Sequence, residues 1–226
     1  MSVHLTKAID HLKSSLLGLA SLSEEQLQRS VLALTTFDRA LASQVIEDDT
    51  IVDRREVELE EQCLQILALY QPVAFDLRFV ITVLKITNDL ERIGDFASNI
   101  AERAIYLSDN RPSHSPIDSE AMASKVKLML KSSLDSLINL NTEVAKQVCH
   151  SDLEIDQIHS DNFRKIEACI VAEPHDVSKY TQFLSVSRCF ERIADLATNL
   201  AEDVIYLVDG QIVRHSDKLL DPSRKG

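Results

Sequence analysis

The chain repeats itself. Residues 91–107, ERIGDFASNIAERAIYL, return as ERIADLATNLAEDVIYL at 191–207, an offset of 100 with 11 of 17 positions identical. A second match lies upstream, where DTIVD (Asp49 to Asp53) pairs with DLEID (Asp152 to Asp156) at an offset of 103. A chain of 226 residues made of two copies of one unit must bury similar faces twice, so a fold proposed for one half must serve the other. The three-residue contraction between the two matches is assigned to the connection around Pro72 and Pro174, because turns absorb length changes more readily than packed helices.

Each copy reads as three helices. Only 4 Gly and 5 Pro occur, and the dominant residues favour long helices over sheet. Phe79, Val83, Ile86, Leu90, Ile93, Ala97, Ile100, Ala104 and Leu107 alternate in steps of four and three, as do Phe183, Val186, Phe190, Ile193, Ala197, Leu200, Val204 and Leu207. Val52, Leu59, Cys63, Ile66 and Tyr70 follow the same spacing. Such stripes are the seams of helices packed at about 20°. The first copy is expected to hold helices at 4–47 (broken near Gly18 and restarted by a Ser23–Gln26 capping box), 49–70 and 74–107, with Gln71-Pro72 ending the second. The second copy is expected to hold helices at 117–150, 152–172 and 176–208, with Ser115-Pro116 as cap and first turn. The fold class is therefore all-α, two tandem three-helix bundles. Its units are residues 1–107, a Ser/Pro/Asp-rich linker at 108–117, residues 118–209, and a polar tail at 210–226.

Charge and composition narrow the partners. A net charge of −12 makes nucleic acid and polyphosphate poor partners, and cations or basic protein patches better ones. Cys63, Cys149, Cys169 and Cys189 form no CxxC pair and mostly lie among apolar residues, as reduced, buried thiols do in a cytosolic protein. The start MSVHLTKAIDHLKSS lacks a basic segment followed by an apolar run, so no export signal is expected. No run of 18 apolar residues is present, so no membrane span is expected.

The carboxylates carry the candidate chemistry. Glu91 and Asp95 lie four apart on one helix face, about 6 Å along the axis. Asn99 and Glu102 extend that stripe, which by wheel angle falls nearly opposite the seam, and Glu191, Asp195, Asn199 and Glu202 repeat it. A lone ExxxD is usually a solvated helix face. Here it is duplicated, although solvent-facing positions carry little packing constraint. If helices two and three are antiparallel, residues at one level share one index sum. Asp49 with Asp95 and Asp53 with Glu91 do so, with the midpoint at Pro72. Asp152 with Asp195 and Asp156 with Glu191 do so as well, with the midpoint between Glu173 and Pro174. Four carboxylates at one level repel unless a cation intervenes. The oxygen donors suit divalent or trivalent metal ions (Fe, Mn, Mg, Ca or Zn), the identity being open. Glu56 and His159 follow at matching positions, and His159 offers a nitrogen. The wheel also allows the four acids to share a level without sharing a site. Arg92 and Arg192 beside them read as ion-pair partners.

These strings resemble the PhoU family. The resemblance rests on EDDTIVDRREVELEEQCLQILALYQPVAFDLR (47–78), NDLERIGDFASNIAERAI (88–105) and ERIADLATNLAE (191–202), and covers nearly the whole chain. It implies two three-helix bundles related by a pseudo-twofold, with metal held by Glu91-x-x-x-Asp95 and Glu191-x-x-x-Asp195. It also implies a homodimeric, cytoplasmic negative regulator of the phosphate-starvation response. Such a regulator links the ATPase subunit of the phosphate-specific ABC transporter to a phosphate-sensing histidine kinase and meets the membrane only through the transporter. The second copy departs from the first near Pro174, so a partner contact by Arg78 would have no twin.

Two other functions compete. A metal-free helical scaffold would use the repeated acids to meet a basic partner. A carboxylate-bridged di-metal enzyme would need two ExxH motifs facing a bundle core, whereas this chain has one DxxH, Asp156 to His159, and apolar seams. No nucleophile with an adjacent base and no glycine-rich phosphate cradle is present, which favours a protein that is not an enzyme.

Overall fold

The computed structural model describes residues 3–210. The expected polar tail therefore lies, beyond Gly210, outside the described residues. The chain forms α1 (Val3–Thr36), α2 (Arg39–Tyr70), α3 (Ala74–Asp109), α4 (Ser119–Asn139), α5 (Thr142–Ala172) and α6 (Val177–Asp209), with a 3-10 turn at Pro174–Asp176 before α6. Among the described residues there is no strand. Helices α1–α3 form one bundle and α4–α6 the other. Helices α3 and α6 pack against each other at the centre, so each touches both helices of its own bundle and its counterpart in the other.

The predicted seams are the core. Every residue of the α3 stripe from Phe79 to Leu107 and of the α6 stripe from Phe183 to Leu207 is buried. On α2 the stripe holds from Val52 to Ile66, but Tyr70 is exposed because the helix ends there and the chain turns outward. Cys63, Cys149 and Cys189 are buried, Cys169 is half-buried, and all four are free thiols. No described helix is long and apolar enough to cross a membrane.

The turns that join the first two helices of each bundle differ from expectation. They fall at Phe37-Asp38 and Leu140-Asn141, ten or so residues before the predicted ends. Phe37 and Leu140 adopt left-handed backbone, with φ of 56° and 51°. Asp38 then caps α2 by accepting the Leu41 N–H, and Asn141 caps α5 by accepting the N–H groups of Glu143 and Val144. Both pairs sit at the same offset of 103 as the aspartates. Gly18 does not break α1, since Leu16 and Leu19 on either side are buried and anchor the helix. Ser23 and Gln26 form no capping box, because both are buried inside a continuous helix. Ser115 does not cap α4 either. Asp118 does, accepting the Ala121 N–H.

The contraction between the copies lies in the second turn of each bundle. Gln71, Pro72 and Val73 have no counterparts: Glu173 matches Tyr70 at an offset of 103, and Pro174 matches Ala74 at an offset of 100. The first turn needs two left-handed residues, Gln71 and Ala74. The second closes through the 3-10 turn opened by Pro174.

Candidate functional site

Each bundle aligns its acids along the groove between its second and third helices. Asp49 and Asp53 of α2 lie within electrostatic reach of Glu91 and Asp95 of α3, and Asp152 and Asp156 of α5 within reach of Glu191 and Asp195 of α6. The stripes flank the seams rather than lying opposite them. Asp49, Glu91, Asp152, Glu191 and Asp195 are half-buried, while Asp53, Asp95 and Asp156 are exposed.

Mutual repulsion shows in the proton affinities. Burial pushes Glu91 up to about 7, and Asp95, Glu56, Asp53 and Asp49 add to the rise. Asp49 is raised by burial, with Asp53 and Asp95 contributing. Asp95 is raised by burial and by Asp53, against the pull of Arg92. In the second bundle burial takes Asp152 up to about 6, helped by Asp156, Asp195 and Glu191. Asp195 is raised by burial and then by Glu191, while Arg192 pulls it down. Each α2–α3 or α5–α6 pair of acid couples therefore behaves as one electrostatic cluster.

Other predicted residues take distinct places. Asn99 turns back on its own helix, its Nδ2 donating to the Asp95 carbonyl at 2.8 Å. Asn199 is half-buried at the matching position. Arg192 pairs with Glu191 at 3.6 Å and with Asp195 at 3.3 Å, as its position suggested. Arg78 is an internal fixture: its Nε donates to the Leu207 carbonyl at the junction of the bundles, and its guanidinium lies over the Phe75 ring.

Three contributors were not read from the sequence. Gln26 of α1 is only 4% exposed, and its Nε2 donates to Asp49 Oδ1 at 3.4 Å. Its Oε1 is buried with no hydrogen-bond partner. Gly94 makes room for it, since a Cβ there would stand 2.8 Å from Gln26 Oε1 and 3.2 Å from Asp49 Oδ1. The third is the hydroxyl pair Ser98 and Thr198, which stand beside Asp49 and Asp152 and hold them down somewhat without completing a hydrogen bond of normal geometry. The available signal for Gln26 was a polar residue interrupting an apolar stripe.

The donor set fits a hard cation in its chemistry. It is rich in oxygen, its carboxylates raise one another's proton affinity, and two acceptors, Gln26 Oε1 and Asp152 Oδ1, are buried and unpartnered. The side chains do not converge on one point. Among the described residues, no group of three or more His, Cys, Asp or Glu side chains is arranged to hold a metal ion.

Comparison with known proteins identifies consistent likenesses. The family model of the PhoU domain matches residues 16–104 and again 120–204. A phosphate-specific transport system accessory protein PhoU homolog of Aquifex aeolicus is 37% identical over 211 residues, 93% of this chain and 96% of that protein. One from Pseudomonas aeruginosa is 35% identical over 216 residues, 95% of this chain and 89% of that one. The crystal structure of PhoU from Pseudomonas aeruginosa superimposes with a TM-score of 0.88 at 35% identity, covering 91% of this chain and 99% of that chain. That of the phosphate transport system regulatory protein PhoU from Streptococcus pneumoniae gives 0.86 at 28% identity, covering 92% and 99%.

Proposed function

This chain belongs to the PhoU family, and from that premise we propose that it is an accessory protein of a phosphate-specific transport system with no reaction of its own. In this reading it is a cytoplasmic, homodimeric adaptor between the transporter's ATPase subunit and a phosphate-sensing histidine kinase. Relatives covering nine-tenths of the chain carry the transport-accessory name. The duplicated acid cluster carries the molecular part of the proposal. A helical adaptor without a chemical role has no need to hold eight carboxylates in two half-buried grooves.

Asp49, Asp53, Glu91 and Asp95 would hold one cation site, and Asp152, Asp156, Glu191 and Asp195 the other. A bound cation would supply positive charge that neutralises the acids and ties the second helix of each bundle to the third. The chain's own contribution is the scaffold. Apolar seams fix the helix backbones, and Arg192 orients Glu191 and Asp195.

The scattered placement of the side chains favours a second reading, a metal-free scaffold whose acids meet a basic partner surface. Elemental analysis of protein purified from its host without added metal separates the two, since the scaffold reading requires no stoichiometric metal. The regulatory role is tested by deleting the gene and reading a phosphate-starvation reporter, and by capturing the transporter ATPase on the tagged chain. Derepression in high phosphate and co-purification are expected. Normal repression without the gene would sink the role.

A further inference from the structure

Of the four thiols, three are shut away and one is not. Burial pushes Cys63 and Cys149 up to about 12 and Cys189 up to about 11, so these sulfurs stay protonated and out of reach. Cys169, near the end of α5, is half-buried. Its Sγ lies 3.8 Å from His114 Nε2, across 55 residues of sequence. His114 belongs to the segment that joins the bundles, and its Nδ1 lies 3.1 Å from Ser113 Oγ. The thiol and the imidazole are neighbours only in the fold, and the sequence alone shows no nucleophile beside a base.

Both ring nitrogens are used. With Nε2 accepting from the thiol, Nδ1 carries the hydrogen and donates it to Ser113 Oγ, which sets the tautomer and the ring's orientation. The ring is held from another side as well. Tyr180 is fully buried on α6, and its ring centroid lies 6.0 Å from that of His114. Its hydroxyl donates to Glu173 Oε2 at 2.6 Å, and Ser113 stands beside the same phenol. A nucleophile, a base within reach of it and a third group that orients the base form the arrangement that activates cysteines. The first bundle has no version of it. Ile66 and Tyr70 stand at the positions of Cys169 and Glu173, at an offset of 103, and Val80 at that of Tyr180, at an offset of 100. Ile66, 4% exposed, fills its place with hydrocarbon, so packing at this point needs no thiol.

We propose that Cys169 is a site of oxidative modification, with His114 as its base and a small hydroperoxide as its oxidant. The thiol proton passes to His114 Nε2 as the sulfur attacks the nearer peroxide oxygen. An S–O bond forms and the O–O bond breaks. The imidazolium returns its proton to the departing oxygen, which leaves as water or an alcohol. The sulfur loses two electrons, the peroxide gains them, and Cys169 ends as a sulfenic acid. Half-burial of the sulfur favours a reactant of this size over a bulky disulfide. Cys63, Cys149 and Cys189 are buried, so the chain presents no second thiol to resolve the product. The event is a single modification and not turnover.

The test treats the reduced full chain with hydrogen peroxide at pH 7 in the presence of dimedone, which traps sulfenic acid, and reads each cysteine by peptide mass spectrometry. Cys169 is expected to react at least about tenfold faster than glutathione in the same solution, because acid–base help from a held imidazole exceeds what exposure alone gives. The three buried thiols should stay unlabelled, which reports that the chain is folded. His114→Asn is expected to lose the advantage at pH 7 and to approach wild type at pH 10, where solvent hydroxide ionises the thiol in both. A packing role for His114 would change neither the rate nor its pH dependence. The proposal is overturned if Cys169 reacts no faster than glutathione. It is equally overturned if His114→Asn, with the other thiols still protected, reacts as fast as wild type at pH 7. Should the variant expose the buried thiols, the comparison with glutathione in the wild-type chain decides alone.

Discussion

The two bundles share a backbone plan and differ in what they bury. Their contact at α3 and α6 shows it most simply. Lys85 of the first bundle reaches Asp203 of the second at 3.2 Å. Exchanging the bundles turns this pair into Ser185 and Arg103, and those two residues do meet, Arg103 Nε donating to Ser185 Oγ at 3.2 Å. The same two points of the junction are thus filled once by an ion pair on a carboxylate only 2% exposed and once by a single hydrogen bond. A duplicated unit keeps its apolar seam, which any misfit in either copy would disrupt, and lets the polar positions beside it diverge.

The largest expected effect comes from that junction. Lys85→Met removes the ammonium beside a buried carboxylate and should cost about 2–3 kcal/mol, since breaking a pair around a buried charge is more costly than forming it is favourable. Its symmetry mate, Ser185→Ala, loses one hydrogen bond and should cost about 1 kcal/mol. Urea unfolding of the two variants measures the ratio, and equal costs would show that the two contacts are energetically alike.

A pH series sharpens the comparison at the grooves. Glu91 titrates near 7 in the folded chain against an ordinary value of 4.5. The fold therefore binds this proton more tightly than the unfolded chain does, and the associated stability, fully present below about 4.5, is lost as pH rises through 7. Metal-free protein should unfold at lower temperature at pH 8 than at pH 5.5. Glu91→Gln should raise the melting temperature at pH 8 and flatten that dependence. Asp152→Asn should do the same over a lower window, between its ordinary 3.8 and about 6. A melting temperature that rises with pH over this range would contradict the assignment.

The smallest effect tests how Gly94 is used. Ala194→Gly should cost about 1–2 kcal/mol, through helix propensity and the loss of a fully buried methyl. The reverse change, Gly94→Ala, gains that propensity but pushes the Gln26 amide away from Asp49. Its net effect should lie within about 1 kcal/mol of zero. Adding Gln26→Met should make it favourable, a coupling measured by a double-mutant cycle.

The seams and the levels of the acids were legible because both depend on periodicity. Leu90 or Phe190 has to face inward whatever surrounds it, and index sums hold for any antiparallel hairpin. The turns at Phe37 and Leu140 were not legible. Neither is glycine, and a left-handed Phe or Leu leaves no compositional mark, so only the caps Asp38 and Asn141 pointed there. The helices expected to start at 49 and 152 start instead at Arg39 and Thr142, so Asp49 and Asp152 lie well inside α2 and α5. Ser23 and Gln26 matched a capping-box spacing, yet they are tertiary contacts: Ser23 Oγ donates to the Leu90 carbonyl at 3.0 Å, across 67 residues of sequence. A local pattern cannot distinguish a side chain that serves its own helix from one that serves its neighbour.

The half-buried acids of each groove raise one another's proton affinity, and the proposed cation would relieve that repulsion. The direct measurement is thermal unfolding of chelator-treated chain at pH 7.5, with and without Mg or Mn, for wild type and for Glu91→Gln combined with Glu191→Gln. Wild type should gain about 5 °C or more at a hundredfold excess over Kd, and the double variant should start higher and gain almost nothing. An equal gain in both proteins, or none in wild type, would contradict it.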